Sequence, residues 1–323
     1  MSAPPVRRAR PPAGGGAILV GLFVAAAVLV ALACGPGGPA WRLPGSVAAL
    51  RVLRVALGIL AGGTLALTGA AVQGLLRNPL ADPFTLGVSS GAAFGTTLAA
   101  FLGLASSVVS PLFGIAGAAG TAFLVYGLAR VRGRVGVTAL VLAGVITSFL
   151  MSSAVMLLVL LGRRTLGEAV YVLMGHLGFT FTTGSLGVFL PGAVLVLAGC
   201  AVLFVLGRDL DIISTGDEPA ASLGVAVGRT TGFVFGVTAL AVGIVVAFTG
   251  AISFVGLVVP HVARFLVGPR HRRVMPVAFG LGAATLLLAD VVARSIVPGG
   301  LPLSVVTAFI GVPFFIYLLR TRL

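Results

Sequence analysis

Long stretches of this chain carry few ionisable residues, and the apolar positions within them are continuous instead of alternating. Ten such runs lie near residues 17–34, 52–75, 85–103, 109–130, 138–161, 188–207, 230–250, 252–267, 276–297 and 303–320. Strands of a membrane barrel would alternate apolar and polar over about ten residues. Continuous runs near twenty residues predict helices long enough to cross a bilayer, where a helix satisfies its own backbone. The pattern therefore predicts an all-α polytopic membrane protein with about ten transmembrane helices, forming one domain over residues 17–323. A Pro-, Arg- and Gly-rich tail, residues 1–16, precedes it and is expected to be disordered and cytoplasmic. The eighth run is short and follows a tight turn at Thr249–Ala251. The stretch ALAC ending at Cys34 is similar to a lipoprotein cleavage site, but with nine further runs behind it, residues 17–34 read as a retained first helix.

Composition agrees with lipid as the solvent. Hydrophobic residues make up 59% of the 323 and charged residues only 9%, against about 25% in a soluble domain. Mean hydropathy is +1.19. All 21 basic residues are Arg, which excludes a P-loop lysine for nucleotide phosphates and a Schiff-base amine. With both termini inside, fifteen arginines fall on inner segments and six (Arg42, Arg51, Arg54, Arg163, Arg164 and Arg294) on outer ones. That asymmetry follows the positive-inside rule and accounts for most of the net charge of +14 without nucleic acid. Cys34 and Cys200 form no ligand-spaced cluster and read as small buried hydrophobes.

Glycines four apart, Gly58 and Gly62, Gly87 with Gly91 and Gly95, and Gly232 and Gly236, predict close helix approach. Two connections are long and polar. The outer one, about 162–186, contains GEAVYVLMGHLG, compatible with a short surface helix, and offers Tyr171, Met174 and His176. The inner one, about 208–229, holds four of the seven acidic residues, Asp209, Asp211, Asp217 and Glu218. Ser214 or Thr215 is expected to cap a short helix there, with Gly224 as its stop, giving a docking surface for a soluble partner. Within the membrane the ionisable residues are few. Asp290 and Arg294 lie four apart on one helical face and predict a local ion pair. His261 beside Pro260 reads as structural. An ion-coupled secondary transporter would need midplane carboxylates, for which only Asp290 offers itself. A membrane enzyme would need a catalytic or metal-binding constellation, and no such motif is visible.

The segment TGAAVQGLLRNPLADPFTLGVSSGAAFG, Thr68–Gly95, resembles the FecCD permease family, importers of ferric siderophores, haem and cobalamin. Its Asn78-Pro79 and Asp82-Pro83 pairs break a helix at the inner face. LRVLRVALG, with Arg51 and Arg54 just outside the second span, GDEPAASLG at Gly216–Gly224, GAISFVGLVVPHVARFLVGPRHRRVMP and LLLADVVARSIVPGGLPLSVVTAFIGVPFFIYLL are similar to further family motifs, in order, over about residues 50–320.

The resemblance implies a type II ABC importer permease in a bacterial cytoplasmic membrane, with both termini inside and no cofactor or resident metal. It implies a homodimer with the path along its axis, two separate ATP-binding subunits that carry the hydrolysis, and a periplasmic or lipid-anchored substrate-binding protein. Arg51, Arg54 and Arg294 would meet that binding protein; Asp217, Glu218, Leu223 and Gly224 would couple to the ATPase; Asn78 and Thr138 would narrow the path on the inner side. Tyr171, Met174 and His176 are candidates for substrate contact. A ferric siderophore is the leading cargo, before haem and cobalamin. The chain departs from the family at Gly300, where an acidic residue is frequent, at Ser304, where glycine is, at Pro219 and Ala221 in the inner loop, and at Tyr171, where Trp is usual.

Overall fold

The computed structural model describes residues 15–35, 37–131, 134–162, 174–296 and 300–322. Its helices are α1 (Gly15–Ala33), α2 (Gly45–Leu75), α3 (Val88–Phe101), α4 (Val109–Ala129), α5 (Val137–Leu161), α6 (Thr183–Val205), α7 (Gly207–Ile213), α8 (Asp217–Ser222), α9 (Val227–Thr249), α10 (Val255–Val267), α11 (His271–Ile296) and α12 (Leu303–Arg322). A hairpin of two-residue strands, β1 (Arg130–Val131) and β2 (Arg134–Val135), joins α4 to α5. Six helices, α2, α4, α5, α6, α9 and α11, are long and apolar enough to cross a membrane, and α1, α3, α10 and α12 contribute shorter apolar stretches. The ten predicted runs thus all fall on helices, and their boundaries shift by a few residues.

The largest shift is at α2. It starts at Gly45, so Arg51 and Arg54 lie on the helix itself and not in a flanking loop. Its 31 residues extend about 46 Å, well beyond the roughly 30 Å hydrocarbon thickness. α10 has the opposite problem: 13 residues reach only about 20 Å. Residues 250–254 complete that segment as a non-helical turn, opened by Gly250 (φ 70°) and closed by Phe254 in the left-handed region (φ 69°), a costly conformation for a bulky residue. Phe254 packs where Gly311 of α12 leaves room for it.

The core follows from burial. Of the apolar window of α2, 89% is buried, but only 22% of that of α5. α2, α9 and α11 are therefore central, while α4, α5 and α6 expose apolar faces. α2 runs along α11, and their backbones touch at Gly62 and Gly282, where a Cβ on either would strike the other's carbonyl. Gly91 and Gly95 do the same between α3 and α4. The expectation fails at Gly236, where a Cβ would meet no atom within 4 Å.

At the C-terminal end of α2 the helix stops as expected. Arg77 turns left-handed (φ 50°), Asn78 Oδ1 accepts Leu80 N at 2.9 Å, and Asp82 Oδ1 accepts Phe84 N at 3.0 Å, opening a 3-10 turn over Pro83–Leu86. Gly87 (φ 80°) then lets α3 start.

Candidate functional site

The C-terminal ends of α1 and α11 and the N-terminal part of α2 meet at a cluster of arginines around one carboxylate; this end is expected from the sequence to face outward. Arg54 donates to both oxygens of Asp290, at 2.7 Å and 3.0 Å, in the bidentate geometry that makes such pairs strong. Arg294 lies 3.5 Å from Asp290 in the i,i+4 pair that the spacing predicts. It also donates to Ala31 O at 2.8 Å. Arg51 donates to Leu32 O at 3.2 Å and to Gly38 O. Both arginines thus hold carbonyls at the C-terminal end of α1 and just beyond it, where cations are favoured. The carboxylate of Asp290 is 4% exposed, Arg294 10% and Arg54 31%. All three arginines assigned to docking are committed within the chain, and of them Arg54 has the most exposed side chain.

Beside this cluster the outer segment 174–182 runs into the bundle instead of looping over it. Thr249 O accepts His176 N at 2.7 Å, Gly175 O accepts Leu303 N and Met174 O accepts Ser304 N. Leu177 is buried, and Phe179 and Phe181 join an edge-to-face aromatic cluster with Phe189 and Phe248. Ser304 makes its own knot, donating from Oγ to Ala251 O at 2.8 Å and accepting Ser253 N. That accounts for a hydroxyl in place of the usual glycine. Tyr171 and most of the proposed surface helix lie outside the described residues.

His176, Arg54, Asp290, Arg294 and Gly300 line a cavity of about 240 Å³. It is smaller than the roughly 300–1,000 Å³ of a small-molecule site, so it is not a binding chamber for a bulky chelate. Burial first, then the nearby Arg54 guanidinium, holds the His176 imidazole below its usual pKa, with Asp290 opposing. The ring is therefore neutral at pH 7.

The opposite end of the bundle, expected from the sequence to face inward, is organised by α7 and α8, two helices where the sequence predicts one. Ser214 and Thr215 do not cap the second. Their hydroxyls donate back to Asp211 O and Ile212 O at 2.6 Å and 2.7 Å, closing α7, and Gly216 (φ 129°) precedes α8. Pro219 sits in the first turn, where its missing N–H costs nothing. Gly224 (φ 84°) ends the unit as expected, and Leu223 beside it is 68% exposed. Glu218 is exposed, and Asp217 pairs with Arg77 at 3.0 Å, linking α8 to the turn after α2. Asn78 and Thr138 are both exposed at this end of the molecule.

Two inner contacts escaped the sequence reading. Asp211 Oδ1 accepts both the backbone N–H of His271 (2.9 Å) and its ring Nδ1 (2.6 Å), capping α11 from α7. Buried Gln73 on α2 donates to Ala81 O and Leu257 O, both at 3.2 Å, and accepts from Arg264 at 2.6 Å. A polar residue inside an apolar run was the available signal for Gln73; Asp211 and His271 carried none. Among the described residues no three His, Cys, Asp or Glu side chains gather as a metal-ligand set.

Apolar helices long enough to cross a membrane, with arginines gathered at one end of the bundle and a pair of short surface helices at the other, define a membrane-embedded helical protein. The chain belongs to the FecCD transport family, which it matches over residues 41–321. It is 40% identical over 277 residues to the cobalamin import system permease protein BtuC of Halobacterium salinarum, covering 85% of this chain and 73% of the relative. It is 38% identical over 276 residues to the ferric enterobactin transport system permease protein FepD of Escherichia coli, covering 84% and 81%. A solved structure described as an inward-facing metal-chelate type ABC transporter superposes with a TM-score of 0.79 at 30% identity, covering 96% of this chain and all of that one.

Proposed function

We propose that the chain is the permease of an ATP-driven importer for metal chelates, with ten membrane-crossing segments and both termini inside. It works as a homodimer with two ATP-binding subunits and a substrate-binding protein. The observation that carries this reading is the unit α7–α8, whose exposed Leu223 stands beside Gly224 just after a helix that begins with the exposed Asp217 and Glu218. A solvent-exposed leucine on a short charged helix is a docking feature. With no lysine in the chain, no P-loop can form, so hydrolysis belongs to the partner. On the outer side Arg54 is the leading contact for acidic residues of a binding protein. Arg51 and Arg294 would join it only by leaving their intrachain partners. The path is assigned to the dimer axis, with Asn78 and Thr138 at its inner end and Met174 and His176 at its outer end. A ferric siderophore is the leading cargo, with cobalamin and haem as further chelates of the same class.

The test is uptake into liposomes carrying this chain with its ATPase and binding protein. Uptake that requires internal ATP and is lost in Leu223→Asp supports the reading. Uptake driven by a proton or sodium gradient without the ATPase would instead favour an ion-coupled transporter, and Asp290→Asn would then be the variant to examine.

A further inference from the structure

An open groove of about 350 Å³ runs between α4 and α9, lined by Ala119, Phe123 and Tyr126 on one side and Gly232, Gly236 and Leu240 on the other. Its floor is Phe235, which is buried and stacked on Tyr126 with ring centroids 6.4 Å apart. The protein itself does not fill this space. A Cβ on Gly236 would meet nothing within 4 Å, so packing within the chain does not require glycine there, although an interior glycine weakens a helix. Phe123, 79% exposed, stands at the open side.

Each wall leads down to a cation. Phe123, Tyr126 and Arg130 follow one another at helical spacing along α4 and its cap, and Gly236, Gly232 and Arg229 do so along α9, which places each set on one stripe. Arg130 and Arg229 are exposed, and neither belongs to an ion pair found among the described residues. β2, which starts at Arg134, packs against α9 at the same end.

The dimensions and the charge select the occupant. From Ala119 to Arg130 the helix rises about 16 Å, close to half of a roughly 30 Å hydrocarbon core. The slot is thus one leaflet deep, apolar along its length, with two guanidinium groups at headgroup level. A second copy of the chain would bring its own arginines to this mouth, and like charges oppose that contact. A phosphodiester suits it: guanidinium groups grip phosphate bidentately, and basic pockets between helices on the cytoplasmic side recognise anionic headgroups. We propose that the α4–α9 groove binds an anionic phospholipid of the inner leaflet, with an acyl chain along Gly236 and Leu240 and the phosphate between Arg130 and Arg229.

This inference rests on the membrane topology given under Proposed function but not on transport, so it is tested by binding alone. The experiment is native mass spectrometry of the full-length chain in detergent, titrated with dioleoyl phosphatidylglycerol or dioleoyl phosphatidylcholine. Wild type is expected to retain phosphatidylglycerol in preference to phosphatidylcholine. Arg130→Gln/Arg229→Gln is expected to weaken phosphatidylglycerol by about tenfold or more, the loss appropriate to charge-assisted bonds, and to erase the preference. Gly236→Leu is expected to weaken both lipids. Equal retention of the two lipids by wild type, or an unchanged preference in the double variant, overturns the proposal. So does a dimer that Gly236→Leu dissociates, since the groove then holds a second copy. Loss of ATP-driven uptake with lipid binding intact would instead defeat the transport reading and leave the groove standing.

Discussion

Replacing Asp290 by Asn tests whether the outer cluster holds the fold together. The carboxylate is 4% exposed and is the acidic partner that the structure gives to Arg54 and Arg294. Breaking a buried pair by removing one partner costs about 3–5 kcal/mol. Here Arg54 is nearly one-third exposed, so water recovers part of that, and the expected loss is about 2 kcal/mol. For a chain of 323 residues that lowers Tm by about 3 °C. Cys200 provides the assay: its thiol is buried as expected and becomes reactive to a maleimide dye only on unfolding, while Cys34, expected to be buried but exposed in the structure, is first changed to Ser to remove background. Arg54→Gln/Asp290→Asn should be less unstable than the two single losses added together, with a coupling of about 1 kcal/mol or more. A Tm for Asp290→Asn within 1 °C of the parent, or strictly additive losses, would refute the reasoning.

Three further outcomes follow from other parts of the molecule. Gly62→Val drives two methyl groups into Gly282 of α11 and should leave little folded protein by size-exclusion chromatography, whereas Gly236→Ala should be tolerated. Leu223→Asp should abolish co-purification of the ATPase while the Cys200 melting curve stays unchanged, because this side chain is 68% exposed and supports no core. Asp82 is held by burial at a pKa raised from 3.8 to about 6, against a smaller opposing effect of the Phe84 N–H. The folded state therefore binds more protons than the unfolded chain between those values, and stability falls as pH rises from about 4 to about 6. Asp82→Asn keeps the oxygen that accepts Phe84 N, so Tm measured from pH 4.5 to 7 should fall less steeply in the variant, and identical slopes would contradict this account.

Legibility in the sequence tracked the range of the interaction. The apolar runs gave the helices because hydropathy is a property of each segment alone, and the Asn78-Pro79 break and the Gly224 stop are local backbone chemistry. The Asp290–Arg294 pair was readable because four residues make one helical turn. Its stronger partner, Arg54, is 236 residues away, and no periodicity links the two. The same holds for Asp211 and His271, 60 residues apart. Ser214 and Thr215 were misassigned because either can accept an N–H ahead of a helix or donate to a carbonyl behind one. The choice between these was settled by Gly216, which opens α8 itself. Gly232 and Gly236 show the limit of a spacing rule: it finds a smooth helix face but does not identify what lies against it.

The two ends of the molecule are joined by the α2–α11 pair. Both helices are buried, and they touch backbone to backbone at Gly62 and Gly282, so neither can slide without the other. About 28 Å of helix separates His271 from Asp290. At one end this pair meets α7–α8 through two joints of unequal strength. The Arg77–Asp217 bridge is 35% and 57% exposed, and an exposed pair contributes little. The Asp211–His271 contact is far better shielded, with the His271 side chain 6% exposed, and it combines a side-chain bond with a helix cap. A displacement of α7–α8 therefore releases the first joint readily and pulls on α11 through the second. Arg54 and Arg294 sit at the other end of the same two helices, so the ion-pair cluster and the α7 contact are linked through the Gly62–Gly282 backbone contact.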